Sequence, residues 1–590
     1  MQYEVINKVS ELPNFDRELP IFCDIETDDL YGPLRMIQFY QPQTSPTIYI
    51  VDIAPFGYNK VDYYYELRQI EDFVMIHHTV WYNSSYDLGS MNISPSMGVK
   101  HPDEVTKDTK YEHKVDDLFY AVKTAYAEFM EFGLKKIVKK LPYTKGLYDG
   151  INTIDNPKGF VRGAYISKNA FKYAAIDVYA LSLIWGDKKV QLVIENNLAY
   201  KVDMMSQAYA LIYQQNGLLL DRKMWEDKLS YAEEQVIKYT KMLPAGFNPN
   251  SYKQVREFLN TDKSDHEALV AMIETRPEAE YIINLKKFKK QVSYLKSIEF
   301  DRMYTKFNAA GAITGRFTSA GGSLHDHFNA QQIPRDFQKL FTQDTDDTVV
   351  IDLDYSTLEL RLAAAMYGVP YMYKQFKEDR DLHIDMAVIA SEKEIAPDGY
   401  PDINHRNMLP WGQHDDRYLN EQERNDAKAI NFGYVFGMSA KKYVPYAFTN
   451  YGIKVTLEES NTLRKKYFSL YPELTKIHNK CWDGYKKPSF YVYTALGRKV
   501  KPKLGTDAIN TPIQGSGAET TKLAVHYLVK ENPLALKYIY NVVHDAIYER
   551  VPRAEKDYWA KLQADSMLKA WTEISKTKAF IYKDVPMKVE

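Results

Sequence analysis

Residues 349–368 read VVIDLDYSTLELRLAAAMYG, and this stretch decides the fold expected for the C-terminal half of the chain. Thr348–Leu353 is dominated by apolar and β-branched residues, which predicts a buried strand. Ser356–Tyr367 has helical periodicity, so Asp354 lies where the strand passes into a helix. A carboxylate there suits a metal ion at the rim of a sheet, and the alternative is an ordinary helix N-cap.

A second aspartate lies at the tip of a predicted hairpin. The segment NVVHDAIYERV, residues 541–551, separates two β-rich runs, Tyr538–Val543 and Ile547–Val551. His544 and Asp545 then occupy the turn between two antiparallel strands. The alternative interpretation is a turn aspartate without chemistry, since Asp is favoured in turns.

Between these segments, ERNDAKAINFGYVFG at residues 423–437 predicts a helix over Leu419–Phe436. Residues spaced by four lie on one helix face, and here they are Arg424, Lys428, Phe432 and Phe436. Two cations followed by two aromatic rings could bind a triphosphate and stack on a base. Without the flanking segments, the pattern would be better explained by an amphipathic helix with buried Phe and solvated Arg and Lys.

The N-terminal part of the chain has its own acidic set. FCDIETDD, residues 22–29, places Asp24 and Glu26 two apart on a strand, so both side chains leave one face. NSSYD ends at Asp87, and YAAID begins at Tyr173 and ends at Asp177. Carboxylate oxygens are the ligands that Mg²⁺ prefers, so these acids predict a metal site if the fold gathers them.

The wider pattern predicts an α/β unit, a helical segment and a second mixed unit. Up to about residue 190, short β-rich runs alternate with helical patterns; the predicted strands are Pro20–Cys23, Met36–Tyr40 and Thr47–Val51, and the predicted helix is Tyr120–Lys140. Lys135, Lys136, Lys139 and Lys140 are interpreted as a solvated helix face. Residues 191–300 are charged and helical, with a turn-rich break at Leu243–Ser251, and Ala396–Arg417 is interpreted as an inserted loop.

Composition narrows the class of protein. The chain has 590 residues, which at about 100–200 residues per domain suggests three or four domains. Its 76 Lys and Arg nearly balance 78 Asp and Glu, so no overall basic charge marks it as a nucleic-acid binder. Two cysteines exclude a disulfide framework and favour a reducing compartment, and no apolar run reaches the ~20 residues of a membrane helix. We therefore expect a cytoplasmic protein without a membrane partner.

The C-terminal segments together resemble DNA polymerase family A. Residues 354–361 match its motif A, residues 424–437 its motif B, and His544-Asp545 its motif C. Further matching segments are Thr314–Arg316, Asn329–Pro334, Asp381–His383, Thr494–Arg498 and Asn510–Ser516. The N-terminal acidic set resembles the proofreading 3′–5′ exonuclease superfamily.

The resemblance implies a multidomain α/β and α+β fold, in which an RNase H-like exonuclease domain precedes a right-hand polymerase. The implied boundaries are 1–190 for the exonuclease, 191–300 for a linker and helical thumb, 301–365 and 481–590 for the palm, and 366–480 for the fingers. It implies template-directed DNA synthesis with proofreading, most simply in phage genome replication, with the host cytoplasm as location if the protein is viral.

The resemblance also implies a role for each matching residue. Two Mg²⁺ per active site, replaceable by Mn²⁺, would be held by Asp354 and Asp545 in one site and by Asp24, Glu26, Asp87 and Asp177 in the other. The dNTP would contact Arg424, Lys428, Phe432, His383, Glu359 and Phe436, with Lys428 as general acid. Tyr173 would orient the attacking water in the exonuclease, and Arg316, Asn510, Gln514 and His544 would contact DNA. Primer-template DNA and dNTPs are the implied partners of a monomer, and replication accessory proteins are potential ones.

Two departures from the family pattern keep alternatives open. Ala546 stands where motif C normally has Glu, and Phe436 stands where the family usually has Tyr. The first alternative is a DNA-binding 3′–5′ exonuclease with a degenerate polymerase domain. A single-subunit RNA polymerase and a catalytically silent accessory subunit are further alternatives, which Glu359 and the intact acidic and basic residues argue against.

Overall fold

The structure, a computed structural model, describes the chain except for residues 56, 152–159, 274, 322–325, 343 and 396–416. The predicted inserted loop Ala396–Arg417 therefore lies outside the described residues, apart from Arg417.

Residues 1–197 form an N-terminal unit. Its elements are β1 (Gln2–Ile6), β2 (Ile21–Thr27), β3 (Leu34–Tyr40), β4 (Thr47–Asp52), α1 (Lys60–Ile76), β5 (Thr79–Trp81), α2 (Ser84–Met91), β6 (Val115–Asp117), α3 (Leu118–Ala125), α4 (Leu134–Lys140), α5 (Lys168–Trp185) and α6 (Lys188–Asn196).

The N-terminal unit is built on a six-stranded mixed sheet in the order β1-β4-β3-β2-β5-β6. The strand β2 is central: it is antiparallel to β3 and parallel to β5. Cys23, Ile25 and Thr27 are buried, whereas Asp24 and Glu26 are partly exposed, so the strand alternates as expected. The three predicted strands of this unit are confirmed within a few residues.

The single helix predicted over Tyr120–Lys140 is wrong. The chain forms two helices there, since α3 ends at Ala125 and α4 begins at Leu134. Between them Met130 adopts a φ of 61°, in the left-handed region that a continuous right-handed helix excludes. The apolar spacing continues through the turn, so periodicity alone could not reveal the break.

A helical segment connects the N-terminal unit to the remainder of the chain. Its elements are α7 (Leu198–Tyr213), β7 (Leu218–Leu219), α8 (Arg222–Lys241), α9 (Tyr252–Leu259), α10 (His266–Ala271) and α11 (Glu278–Lys296). The long helices α8 and α11 pack against each other, and α9 and α10 lie between them in sequence. The predicted break at Leu243–Ser251 is confirmed, because it separates α8 from α9.

The C-terminal unit surrounds a three-stranded antiparallel sheet in the order β11-β15-β14. The elements of this unit are β8 (Arg302–Met303), β9 (Lys306–Asn308), β10 (Thr318–Ala320), α12 (Arg335–Gln338), β11 (Thr348–Leu353), α13 (Leu358–Tyr367), α14 (Pro370–Lys377), α15 (Leu382–Ser391), α16 (Glu421–Val435), α17 (Ala440–Tyr451), α18 (Leu457–Leu470), α19 (Pro472–Gly484), β12 (Val492–Tyr493), β13 (Lys499–Val500), α20 (Gly505–Glu531), β14 (Ile539–Val543), β15 (Ala546–Pro552) and α21 (Lys556–Ser575). The helices α20 and α21 pack on each other and on this sheet, and α15 packs on α16. Within the described part of the chain, no helix has the length and apolarity needed to cross a lipid bilayer.

The central strand β15 carries a buried acid. Glu549 pairs with Ile351 of β11 and Ile539 of β14, and its side chain is fully buried. Neither carboxylate oxygen has a hydrogen-bond partner among the described residues. Burial raises the pKa of Glu549 to about 8, because a desolvated carboxylate is disfavoured. The folded protein therefore holds this proton at pH values where the unfolded chain has released it.

We expect Glu549→Gln to stabilise the protein more at pH 8 than at pH 5. The pKa of Glu549 in the folded protein lies above its unfolded value of about 4.3. The contribution of Glu549 to the free energy of unfolding is therefore most favourable below pH 4.3 and is lost as the pH rises through 8. The gain at pH 8 should be on the order of 3 kcal/mol. Urea denaturation at both pH values measures it, with the exposed Glu458→Gln as control; an equal effect of the two variants at pH 8 would contradict the assignment.

Candidate functional site

The sheet register brings Asp354 and Asp545 together. Leu353, the last residue of β11, pairs with Ile547, and Val543 pairs with Ala546 across the hairpin turn. His544 turns the chain with a φ of 55°, so Asp545 leaves the hairpin beside Asp354. The two carboxyl groups lie within hydrogen-bonding reach of each other.

The electrostatics of this pair favour a bound cation. Desolvation raises the pKa of Asp354 to about 6. Desolvation, followed by the charge of Asp354, raises the pKa of Asp545 to about 7. Two adjacent carboxylates cannot both ionise cheaply without a counter-charge, so the pair holds a proton that a divalent cation could replace. Both groups offer only oxygen, the ligand atom of hard cations such as Mg²⁺.

The last residues of the chain line this site, which no sequence pattern indicated. Asp354 and Glu590 exchange two backbone hydrogen bonds, of 2.9 and 3.0 Å. Ser356 donates its backbone N–H to the carbonyl of Lys588 at 3.0 Å. The charge of Glu590 contributes to the raised pKa of Asp354, after desolvation and Asp352. The strand end that carries Asp354 is thus held by the segment 588–590.

A cavity of about 470 Å³ opens beside Asp354. Four predicted residues line it: Asp354, His383, Arg424 and Lys428. Three cations that sequence reasoning missed, Arg361, Arg380 and Lys588, also line it. The lining thus combines carboxylates, among them Asp354 and Glu590, with several cations, which suits a substrate that carries phosphate groups together with a metal ion. Asp545, Glu359, Phe432 and Phe436 do not line this cavity.

The helix α16 presents its cations to the cavity. Arg424 donates from Nε to Asp381 at 2.7 Å, and Asp381 in turn accepts the backbone N–H of His383 at 2.8 Å. No hydrogen bond or ion pair holds Lys428 among the described residues. The capping box that Asn420 and Glu423 form fixes the first turn of the helix, so the position of Arg424 is set locally.

His383 lines the same cavity as a neutral donor. It is buried, and Asn431 of α16 donates to its Nδ1 at 2.9 Å. Burial lowers the pKa of His383 to about 4, so the ring is neutral at pH 7 and carries its proton on Nε2. The ring of Phe432 lies 5.7 Å from that of His383. Phe432 and Phe436 pack on the apolar core. This is the position that the alternative interpretation, an amphipathic helix, predicts for the Phe residues.

Arg316 and Glu359, predicted to contact different parts of a substrate, form an ion pair. Arg316 donates to Glu359 at 2.8 Å. Arg316 follows Gly315, whose φ of 82° and close approach to Arg498 leave no room for a Cβ. Lys522 donates to the carbonyl of Gly315 at 2.6 Å. The loop that carries Arg316 is therefore held by buried cations of the C-terminal unit.

The remaining predicted DNA-contacting residues lie on two elements. Asn510 and Gln514 are one turn apart on α20, and Oδ1 of Asn510 is buried without a hydrogen-bond partner among the described residues. His544 is exposed at the hairpin tip. These positions do not test a contact with DNA, which stays a prediction.

The N-terminal unit gathers the other acidic set. Carboxylate oxygens of Asp24, Glu26 and Asp177 lie within 4.8 Å of one another, where β2 meets α5. Asp87 of α2 lies beside this group and accepts the backbone N–H of Ile25 at 3.3 Å. Desolvation and the neighbouring acids raise the pKa of Asp24 and Glu26, and desolvation raises that of Asp177 to about 7. The four acids form a site that suits divalent cations.

Two residues of this site were missed or misjudged from sequence. Tyr148 donates its hydroxyl to Asp177. Nζ of Lys135 lies 4.7 Å from the ring centre of Tyr173, and its charge lowers the pKa of Glu26 and Asp177. The interpretation of Lys135 as part of a solvated face is therefore wrong. Its place in a lysine-rich run could not predict this contact, because the direction of the Lys135 side chain depends on how α4 lies beside α5.

Comparison with known proteins gives three kinds of finding: a family profile, relatives in sequence and a similar solved structure. The sequence profile of DNA polymerase family A matches residues 220–590. DNA polymerase I of Aquifex aeolicus is 31% identical over 400 residues, which cover 64% of this chain and 63% of that protein. The thermostable DNA polymerase I of Thermus thermophilus is 24% identical over 382 residues, 59% of this chain and 42% of that protein. The chain thus spans less than two thirds of these relatives.

The third finding concerns the fold. The POL domain of Pol1 from M. smegmatis, solved in complex with DNA primer-template and dNTP, aligns with a TM-score of 0.65 over 96% of this chain and 94% of that one. At 16% identity this likeness shows the fold alone. The family profile covers well over half of the residues and includes both aspartates at the tip of the three-stranded sheet. The chain belongs to DNA polymerase family A.

Proposed function

We propose that the chain is a DNA-directed DNA polymerase that also carries a 3′–5′ exonuclease site. One observation carries the proposal: in a chain of family A, Asp354, which contacts Asp545, lines a cavity that Arg424 and Lys428 also line. Transfer of a nucleotide from a triphosphate requires acidic groups that bind cations and, beside them, basic groups that bind phosphates.

The proposed domain layout follows the three structural parts. Residues 1–190 are the exonuclease domain with an RNase H-like fold, and 191–300 are the linker and the thumb. Residues 301–365 and 481–590 are the palm, and 366–480 are the fingers. The three-stranded sheet supports the palm assignment, because Asp354 and Asp545 lie at its edge, and α15 and α16 support the fingers assignment, because they carry His383, Arg424 and Lys428.

Metal binding is proposed at both acidic sites. Asp354 and Asp545 would hold two Mg²⁺, and Asp24, Glu26, Asp87 and Asp177 would hold two more, with Mn²⁺ as a substitute. When bound, such ions stabilise charge on the attacking and leaving oxygens of a phosphoryl transfer. The raised pKa of Asp177 and Asp545 supports this fit, since each carboxylate lacks a counter-charge strong enough to keep it ionised.

The cavity residues are proposed to bind and orient the dNTP. Arg424 and Lys428 attract its phosphates, and Lys428 can give a proton to the departing pyrophosphate. His383 can donate from Nε2, because Asn431 already donates to Nδ1. Phe432 would meet the base once the fingers close. These residues come from α15 and α16, which pack on each other.

Selection of sugar and primer end is proposed for a second group. Glu359 would exclude a ribose 2′-hydroxyl, and its ion pair with Arg316 would hold the carboxylate in place. Phe436 keeps the aromatic ring of the family's usual Tyr and lacks its hydroxyl. Arg316, Asn510, Gln514 and His544 would contact the primer-template.

In the N-terminal unit, Tyr173 would orient the attacking water of the exonuclease. Lys135 lies over the ring of Tyr173, so it would offset the charge of the acids around a bound phosphodiester. The relatives described above are bacterial, so phage genome replication, like a monomeric state and accessory proteins, stays a prediction.

The second candidate function is an exonuclease with a degenerate polymerase domain, and Ala546 is the observation that favours it. The residue after Asp545 offers no carboxylate, and its methyl group is buried in the hairpin. A primed template with a mismatched 3′ end separates the two functions. With Mg²⁺ and no nucleotides we expect shortening of the primer, and with dNTPs we expect removal of the mismatch followed by extension to the template end.

The same assay with rNTPs tests the role of Glu359. Extension with dNTPs should exceed extension with rNTPs by a factor of about 100 or more, since leaving a polar group unpaired in a tight site costs about 3 kcal/mol. Shortening without any synthesis in every mixture would favour the second candidate function and overturn the first.

A further inference from the structure

The N-terminal unit contains a second group of metal-ligating side chains, at the other end of its sheet from the acidic set. His78 precedes β5, and Asp116 lies in β6, which pairs with β5 in parallel. Thr79, next to His78, pairs with Ile21, three residues before Asp24 on β2, so at about 3.3 Å per residue His78 is offset from the acids by roughly 10 Å along the strands. Neither the family resemblance nor the proposed function uses it.

Two imidazoles converge on one carboxylate in this group. Nε2 of His78 lies 2.8 Å from Oδ2 of Asp116, and Nε2 of His113 lies 3.1 Å from Oδ1. One ligand atom from each of the three residues falls within 4.8 Å of the other two. Ligands about 2.1 Å from a tetrahedral ion are roughly 3.4 Å apart, so a small movement of the two rings would admit an ion between them.

The surroundings orient these ligand atoms. Tyr200 of α7 donates its hydroxyl to Oδ1 of Asp116 at 2.7 Å and accepts the backbone N–H of Asp117 at 3.1 Å. The hydroxyl of Tyr111 lies 3.2 Å from Nδ1 of His113, so Nε2 is left to face Asp116. Metal-binding His and Asp side chains typically have such outer partners, which fix the ring and the carboxylate.

Access and charge also suit a cation. The side chain of Asp116 is 2% exposed, whereas those of His78 and His113 are 29% and 46% exposed, so an ion could enter from solvent past the rings. Asp116 supplies the negative charge that a cation requires, and the Nε2 atoms of both imidazoles already face its carboxylate oxygens.

We propose that His78, His113 and Asp116 bind one Zn²⁺, or a similar borderline divalent cation, with water in the fourth position. Two imidazoles and one carboxylate suit Zn²⁺ better than Mg²⁺, which prefers oxygen ligands alone. The ion would join the beginnings of β5 and β6 and, through Tyr200, hold them to α7.

The place of α7 gives the proposed ion a structural role. Asp203 lies about one turn after Tyr200 on the same helix. It binds Arg498 at 2.7 Å and Lys522 at 2.6 Å, and all three side chains are buried. The helix thus connects the sheet of the N-terminal unit to α20 of the C-terminal unit. An ion at its first turns would stabilise the contact between the two units and leave both catalytic sites unchanged.

Titration of the full chain with Zn²⁺, in excess Mg²⁺ to occupy the carboxylate sites, tests the proposal. We expect one Zn²⁺ per chain and a rise of the melting temperature on binding. His78→Ala and His113→Ala should each weaken Zn²⁺ binding more than about 100-fold, and Tyr200→Phe about 10-fold, as outer partners do. His101→Ala is the matched control, because His101 forms a single exposed pair with Asp103 at 3.2 Å.

Co²⁺ in place of Zn²⁺ gives a readout that needs no variant. The unmodified chain should show the visible absorption of tetrahedral cobalt, and competing Zn²⁺ should remove it. Absence of this spectrum, or Zn²⁺ binding that His78→Ala and His113→Ala leave unchanged, would overturn the proposal. Equal weakening by His101→Ala would do the same, since it would place the ion elsewhere.

Discussion

Asp354→Ala is expected to abolish primer extension while leaving the shortening of a primer 3′ end unchanged. Asp354 lies on the cavity wall and in contact with Asp545, and it is proposed to hold the ions that stabilise the reacting oxygens. Loss of such stabilisation costs several kcal/mol, and about 4 kcal/mol corresponds to about 1000-fold in rate. Single-turnover extension of a labelled primer with dNTPs and Mg²⁺ measures the loss.

The control for Asp354→Ala is Asp565→Ala, which removes an exposed aspartate that pairs with Lys561 on α21. Its extension rate should equal that of the unmodified chain. The backbone of residue 354 is held by Glu590 through main-chain hydrogen bonds, which the substitution keeps, so we expect the variant to fold. Extension by Asp354→Ala within tenfold of the unmodified rate would refute the role assigned to Asp354.

Asp24→Ala combined with Glu26→Ala is expected to have the opposite effect. Two of the four acids of this site would be lost, including two of the three whose carboxylate oxygens lie within 4.8 Å of one another, so Asp87 and Asp177 would hold the ions poorly. Degradation of a mismatched primer should fall by a factor of about 1000, whereas extension of a matched primer should persist. Removing acids that repel one another should also raise the melting temperature in the absence of metal.

The matched control for this double variant is Asp103→Ala with Glu104→Ala, two exposed acids of the same unit. It should shorten mismatched primers at the normal rate. If the Asp24 and Glu26 variant still degrades the mismatched primer at that rate, the acidic group on β2 is not the exonuclease site. The two experiments together separate the two proposed activities within one chain.

Local patterns in the sequence predicted the elements that carry the polymerase residues. The strand Thr348–Leu353 has the predicted bounds, and the hairpin with His544 and Asp545 at its tip is also confirmed. The helix over Leu419–Phe436 is confirmed within two residues. These elements depend on residue periodicity and turn chemistry, which act over a few residues and can be read directly from the chain.

Contacts between distant residues could not be predicted in this way. The ion pair of Arg316 with Glu359 joins residues that the sequence suggested for separate tasks, and Lys135 was assigned to solvent. The sequence pattern also did not predict the break between α3 and α4, because the apolar spacing continues through it. In each case the deciding interaction comes from another element that packs against the residue, and no local pattern encodes that partner.

The sequence by itself determined the family of this protein, the strands and helices around its acidic residues, and which residues could bind metal ions or phosphates. Only the tertiary structure decided that segment 588–590 holds the strand end that carries Asp354, that Arg316 pairs with Glu359, and that His78 and His113 converge on Asp116. The reason is physical: backbone preferences and periodicity act between near neighbours along the chain, whereas the position of one side chain against another depends on the packing of whole elements.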